Sequence, residues 1–504
     1  MGQSSSVPDT MRVRPHHVPR WALNDIADLL QIAAVDDAVT VTGLSLNTSA
    51  VRPGDLYIAV PGSRAHGADF VDRARHAGAL AVLTDESGAQ TVAGRLPALV
   101  HPRPRDVLPE LAARFYGYPA RDLITVGITG TQGKTTASYL AEAALGDSRC
   151  SVIGTIGTRI NGIAAATELT TPEAPALQGL FAVMREEHSA TCAMEVSSHA
   201  LVQGRVDGIV FDVAVFLNLG RDHLDYHHSM EEYFLAKARL FSAGHARAAV
   251  INIDDEYGRR LSGMTSLPVT TFSLHDHTAD WYAGDITAEP GGSRADVRGP
   301  DGLRMTLDVP LPGVFNIANA VAVLASLSRA GHDPYELAAG IARAPQIPGR
   351  LERIERGQPF AAFVDYAHKP DAVKAVLAAL RPLTDGRLII VLGAGGERDH
   401  GKRPLMGLAA ADYADVVVVT DDNPRHEDPA AIRHAVMSQI ADSAVRVVEV
   451  PGRRDAIEYA VGLAENADAV VIAGKGHETG QQIGDEVLPF DDRVVLADAI
   501  GTHV

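Results

Sequence analysis

Two cysteines, Cys150 and Cys192, in 504 residues leave no material for a disulfide framework. They fit a reducing compartment, so a cytoplasmic protein is expected. Positive charge is also short, with 45 Lys and Arg against 63 Asp and Glu and a formal net charge of −18. Holding DNA or RNA by bulk electrostatics takes a local excess of cations, so no nucleic-acid partner is expected. Anionic ligands must be met by local devices such as helix N-termini, metal ions or a few placed basic side chains. No apolar run approaches the ~20 residues of a transmembrane helix, so no membrane insertion is expected. An apolar h-region is missing near the start, which argues against a signal peptide. The opening MGQSSS formally matches a myristoylation pattern. Its polar, Pro-rich continuation from Arg12 to Arg20 points instead to a flexible tail over 1–20. An internal repeat is lacking, as is the Asn-Lys-x-Asp guanine motif that a GTP-type switch protein would carry.

What is present is an ordinary globular balance, 46% apolar and 21% charged residues. The length suits about three domains of ~150 residues. Residues 21–120 read as a small α/β unit with strands at Leu56 to Val60, Leu80 to Leu83 and Ala98 to Val100. A second unit, 121–347, opens on the β-branched run Leu123 to Thr129, a Gly-rich turn and a helix from about Lys134 to Leu145. Strands follow at Thr191 to Val196, Val213 to Leu219 and Ala248 to Ile253. Such alternation with helices predicts βαβ units and a mostly parallel sheet. The polar stretch His275 to Asp301 reads as a peripheral hairpin region. A third unit, 348–504, has apolar runs at Ala361 to Val364, Leu388 to Leu392, Val416 to Val419 and Ala469 to Ile472. Each ends in a polar cluster, where doubly wound sheets bind ligands.

The turn Gly130-Thr131-Gln132-Gly133-Lys134-Thr135-Thr136 lies between a strand and a helix. Glycines let backbone N–H groups curl around a phosphate, Lys134 reaches its outer oxygens, and Thr135 or Thr136 is placed to bind Mg²⁺. Ile128 stands where the strict P-loop has its first glycine, so the motif is a variant. Glu195 and His223 follow strands, and a carboxylate and an imidazole suit a divalent ion shared with substrate phosphate. Taken alone, Glu195 is equally compatible with an ion pair to a neighbouring Arg. Lys237, taken alone, reads as part of a solvated helix face, on a helix whose start is signalled by Ser229 with Glu232 as a capping box.

A longer series of motifs narrows these alternatives. GTQGKTT is followed by TTPE at Thr170, MEVSSHALVQGRV from Met194, NLGRDHLDYH from Asn218 and PGVFNIANAVA from Pro312. Then come PGRLE from Pro348, VDYAHKPD from Val364, GERDHGKRPLM from Gly396 and GKGHE at Gly474. In this order, from Ser45 onward, the chain resembles the Mur ligases, ATP-dependent amide ligases of bacterial cell-wall synthesis. Within that family it looks most like the members that add the third amino acid. Asp422-Asn423-Pro424-Arg425 matches those that add diaminopimelate rather than lysine. The resemblance implies three α/β domains: an N-terminal UDP-binding domain, a central P-loop domain for ATP and a Rossmann-like C-terminal domain for the amino acid.

Residue by residue, the resemblance implies that Gly130 to Thr136, Asn316, Arg350, Asp365 and Lys402 hold ATP. Thr135, Glu195 and His223 would serve Mg²⁺, with Lys237 as a carbamate (N6-carboxylysine). Leu46, Thr48, Thr170, Thr171, Ser197, Gln203 and Arg205 fall where the family binds the UDP-N-acetylmuramoyl-dipeptide. Arg398, Asp422, Asn423, Pro424, Arg425, Gly474 and Glu478 fall where it binds diaminopimelate. Lys134, Glu195, His223, Lys237 and Arg350 would carry the chemistry, in a monomer. The distal carboxylate of diaminopimelate suits Arg398 and Arg425, and its ammonium suits Glu478. The sequence also departs from the family. Asn47-Thr48-Ser49 replaces the usual Asp-Ser-Arg, Leu169 stands where an asparagine often precedes the threonines, and Gln132 replaces a small residue or Asn. A ligase of the same fold with another acceptor or amino acid, lysine or a natural-product peptide, is the alternative.

Overall fold

The computed structural model describes residues 12–35, 38–62, 65–147, 149–289, 291–441 and 443–503. Three sheets, one in each expected unit, organise the chain. The first is parallel, in the order Gly43–Ser45, Asp55–Ala59, Ala81–Thr84 and Ala98–Val100. The second has eleven strands. Its parallel centre runs Cys150–Gly154, Thr191–Glu195, Ile124–Thr129, Val213–Phe216, Ala249–Asn252 and Val269–Ser273. Side chains alternate across this sheet. Val126, Ile128, Val213 and Val215 pack under the helices Lys134–Leu145 and Val314–Arg329. Ala214 and Phe216 pack on the other face with the helix Ala174–Glu186. Covered on both faces, such strands carry continuous apolar runs, which is why they were legible.

The third sheet has five parallel strands, Ala361–Asp365, Ala469–Ala473, Leu388–Leu392, Val416–Val419 and Arg446–Glu449, and a short antiparallel edge, Glu352–Arg353. Its polar strand endings converge at the carboxyl edge, facing the glycine-rich turn of the central sheet. The helix Met230–Ala238 starts where the Ser229 signal placed it, with Ser229 Oγ accepting the Glu232 N–H at 3.1 Å.

Two expectations change. The hairpin expected within 275–301 is present, Trp281–Glu289 against Gly292–Arg298, but it extends the central sheet rather than standing apart from it. The strand Trp281–Glu289 pairs parallel with Val269–Ser273 and is followed by Gly292–Arg298 and Arg304–Val309, so the central sheet runs on. Trp281, Ala283, Ala295 and Val297 enter the core, an alternating pattern hidden by the polar outer face. Residues 1–11, with the myristoylation-like start, lie outside the described residues, but 12–20 are held rather than free. Arg14 grips Asp55 through two bonds of 2.6 and 2.8 Å. Arg12 and the backbone N–H groups of His16 and His17 converge on Glu186, each at 2.8 Å. The partners are distant in sequence, so composition could not show them.

Candidate active site

The turn after Ile124–Thr129 is locked in place by the neighbouring strand. Asn218 accepts the Thr131 N–H on its backbone oxygen at 3.1 Å and the Gln132 N–H on Oδ1 at 2.9 Å. Its Nδ2 donates back to the Gln132 carbonyl at 3.2 Å. Gly133 has φ +85°, and a Cβ there would lie 2.3 Å from Asn319 Oδ1, so only glycine fits. Having no side chain, Gly133 gives the helix Lys134–Leu145 no side-chain cap. The orphan N–H groups of the first turn therefore form an anion site. Lys134 Nζ is folded back onto the Gly130 carbonyl at 2.8 Å. Desolvation lowers its pKa to about 8, and an anionic phosphate beside it would raise that pKa again.

The loop lines a cleft of about 410 Å³ whose opposite wall comes from the third domain. Arg350 Nη2 donates to Thr135 Oγ1 at 3.2 Å, and its guanidinium lies 4.5 Å over the Tyr366 ring. Arg350 Nε is buried and has no partner among the described residues, an unmet donor at the rim of an anion site. Asp365 accepts the N–H groups of Leu351 and Ala367 at 2.7 and 2.8 Å. Burial raises its pKa to about 6. Asn316 is buried, and its Nδ2 donates to the Pro312 carbonyl at 2.8 Å. Lys402, expected with ATP, lines a second hollow instead, where Nζ donates to the His368 carbonyl at 3.0 Å.

Among the described residues Glu195 pairs with no arginine. Its oxygens accept the Thr155 N–H at 2.8 Å and the Thr155 hydroxyl at 3.0 Å. It faces the cleft with Thr135 and His223. No group of three His, Cys, Asp or Glu side chains is placed for a metal among the described residues. A carboxylate, a hydroxyl and an imidazole fit a hard cation that draws its other ligands from phosphate oxygens and water, as Mg²⁺ does. Lys237 is not on a solvated face. It is 1% exposed, and Nζ donates to the Gly130 carbonyl at 3.0 Å. Burial, helped by Lys134, holds its pKa well below the ordinary lysine value.

The second hollow, about 220 Å³, is lined by Arg398, Asp422, Asn423, Arg425, Gly474 and Glu478 among others. Gly474 has φ +120°, and a Cβ there would meet Asp422 Oδ2 at 2.7 Å. Arg425 has a left-handed backbone, φ 53°, and its Nη1 donates to the Gly396 carbonyl at 2.5 Å. Pro424, just before it, is buried. His223, Tyr366, His368 and Lys369 line both hollows, so the two adjoin. His368 Nδ1 lies 2.7 Å from the Tyr366 carbonyl, which only accepts, so Nδ1 carries the proton. Burial and the lysines Lys369 and Lys402 keep this imidazole neutral, its pKa well below the ordinary value.

Thr170 and Ser197 line the same cleft as Lys134, near Glu195. Thr171, Gln203 and Arg205 form a connected group beside them: Arg205 donates to the Thr171 carbonyl at 2.9 Å and to Gln203 Oε1 at 2.7 Å. Leu46 and Thr48 follow the strand Gly43–Ser45 in the first domain and line neither hollow. Sequence reasoning did not single out Asn218, Asn319, Asp222, Lys369 or Lys475. All five sit within the quoted motifs, but contacts such as Asn218 with Gln132 and Lys369 with Asp222 join segments remote in sequence.

A P-loop cleft closed by a second α/β domain, with an amino-acid-sized charged hollow at the join, is the architecture of the Mur ligases, and the chain belongs to that family. Residues 40–116 match the Mur ligase family catalytic domain, 128–327 the Mur ligase middle domain, and 349–476 the Mur ligase glutamate ligase domain. More particularly, the UDP-N-acetylmuramoyl-L-alanyl-D-glutamate–2,6-diaminopimelate ligase of Streptomyces coelicolor is 52% identical, covering 97% of this chain and 98% of that one. The enzyme of the same name from Corynebacterium efficiens is 47% identical over 93% of this chain and 91% of its own length. A solved structure bearing that name is 34% identical, with a TM-score of 0.65, covering 95% of this chain and 98% of that chain.

Proposed function

We propose that this chain adds diaminopimelate to the D-glutamate of UDP-N-acetylmuramoyl-L-alanyl-D-glutamate, using ATP, in the assembly of peptidoglycan precursors. The observation that carries this reading is the shared wall. A nucleotide cleft and a hollow with paired arginines and acids meet at His223, Tyr366, His368 and Lys369. An acyl phosphate made in one is then within reach of an amine held in the other.

In the first half-reaction a carboxylate oxygen of the acceptor attacks the γ-phosphorus of ATP, the bond to ADP breaks, and an acyl phosphate forms. Lys134, the uncapped helix start and Arg350 stabilise charge on the transferring group. In the second, the amine of diaminopimelate attacks the acyl carbon, the bond to phosphate breaks, and the amine loses a proton. The departing phosphate takes that proton, because His368 at the join, kept neutral by burial and two lysines, is a weak base. Thr135, Glu195 and His223 would hold Mg²⁺, which when bound screens charge on the phosphates. Lys237 would complete the set as a carbamate: a neutral amine is the form that adds CO₂, and its depressed pKa supplies it. Gly130 to Thr136, Asn316 and Asp365 position the nucleotide. The N-terminal domain, with Leu46 and Thr48, grips the uridine diphosphate end, and Thr170, Thr171, Ser197, Gln203 and Arg205 the peptide end. The enzyme works as a cytoplasmic monomer.

The test is ADP release with a panel of third-position amino acids, with and without the UDP-linked acceptor. Turnover that needs both that acceptor and diaminopimelate supports the reading. Efficient turnover with lysine, or without UDP, selects the alternative ligase.

A further inference from the structure

Behind the second hollow lies a lysine that does not reach it. Lys475 is 0% exposed and is not part of the hollow's lining. Its Nζ donates to Asn423 Oδ1 at 2.9 Å and to Glu478 Oε2 at 3.0 Å. Both recipients do line the hollow. The backbone N–H of Gln482 also donates to Asn423 Oδ1, at 2.9 Å. A backbone N–H and an ammonium only donate, so this atom of Asn423 must be the oxygen and the amide cannot flip. Its Nδ2 is thereby turned to Glu478 Oε2, at 3.0 Å. Glu478 thus has one oxygen taken by two donors, and no described residue bonds to the other.

We infer that Lys475 is a positioning residue that sets the choice of amino acid, acting through Asn423 and Glu478. This rests on the reading of the hollow as the site of a diaminopimelate head. Five cationic and five anionic side chains line the hollow, and Lys475 adds a further cation behind them. A bare ammonium entering such a site meets a surplus of positive charge, with half of Glu478 already engaged. A head that brings a carboxylate along with its ammonium gives Arg425 and Arg398 a partner and leaves the free oxygen of Glu478 for the ammonium. The buried lysine therefore disfavours lysine as substrate by charge and by occupying one acceptor, a repulsive element alongside the attractive one.

The test compares kcat/KM for diaminopimelate and for lysine in wild type, Lys475→Met and the milder Lys475→Gln. Both variants should lose about tenfold or more on diaminopimelate, through KM, as expected for loss of a charged hydrogen bond. Activity with lysine should hold or rise, and the KM for ATP should stay put. A parallel fall with both amino acids, or an unchanged ratio, overturns the inference. A wild type that uses lysine as well as diaminopimelate instead removes the reading of the hollow itself. Should neither variant fold, the wild-type structure with diaminopimelate bound decides. Lys475 still on Asn423 and Glu478, with the substrate ammonium on the other Glu478 oxygen, supports the inference. Lys475 displaced, or bonded to the substrate, refutes it.

Discussion

The ammonium of Lys369 reaches out of the third domain and pairs with the carboxylate of Asp222 in the central domain. His223 Nε2 lies 2.8 Å from the same carboxylate oxygen. Burial alone would raise the Asp222 pKa, but His223 and Lys369 outweigh it and hold the carboxyl well below the usual range. The side chains are only 12% and 14% exposed, so removing one partner leaves a poorly solvated charge, at a cost of about 3–5 kcal/mol. Lys369→Ala should loosen the join between the domains. Activity should fall at least about tenfold, and the radius of gyration by X-ray scattering should increase. Unchanged scattering and turnover would make the pair incidental.

Lys134→Ala should abolish ADP release in a folded protein. On the proposed reading the side chain neutralises charge on the transferring phosphoryl group, and losing such a contact costs ~3 kcal/mol or more, roughly a hundredfold in rate. Near-normal turnover would remove the nucleotide assignment of the loop.

Lys237 should be carbamylated in the active enzyme. Lys237→Ala should cripple turnover, and bicarbonate or a short carboxylate should partly restore it by supplying the missing anion. Intact mass at neutral pH reads the modification directly, and a plain amine in active enzyme would contradict it.

Arg425→Ala should raise the KM for diaminopimelate strongly, since truncating one partner of a buried charged pair costs about 2–5 kcal/mol. The KM values for ATP and the nucleotide-linked peptide should change little, and discrimination against lysine should weaken. A variant with unchanged preference would place the distal carboxylate elsewhere.

Asp365 has a pH signature. Its folded-state pKa of about 6 lies above the ordinary aspartate value of 3.8 because of burial. Folding therefore takes up a proton between these values, and the contribution of Asp365 to stability is present at low pH and lost as pH rises through 6. Relative to Asp365→Asn, wild type should lose about 1 kcal/mol of unfolding free energy between pH 5 and pH 7. Denaturant titrations of both proteins at these pH values measure it, and parallel curves would show that the carboxyl is already ionised at pH 5.

The sequence alone determined the elements whose causes are local. The strand, glycine turn and helix around Lys134 follow from β-branched residues, a glycine with no side chain to cap with, and good helix formers in succession. The core strands of the third sheet were readable because both of their faces are buried, which makes each an unbroken apolar run, Leu388–Leu392 and Val416–Val419 among them. Asn423, Arg425, Gly474 and Glu478 were legible as residues because their motifs stand at strand ends. The tertiary structure decided what depends on contacts between remote segments. Lys237 looked like any helical lysine until packing against the glycine-rich turn removed its water. Lys475 gained a purpose only when the hairpin after it brought Gln482 to Asn423. The stretch 12–20 read as a tail because Arg14 and Asp55 are 41 residues apart, and no local pattern encodes such a pair. Burial and charge pairing are properties of the packed chain, and they fix which of the legible residues act together.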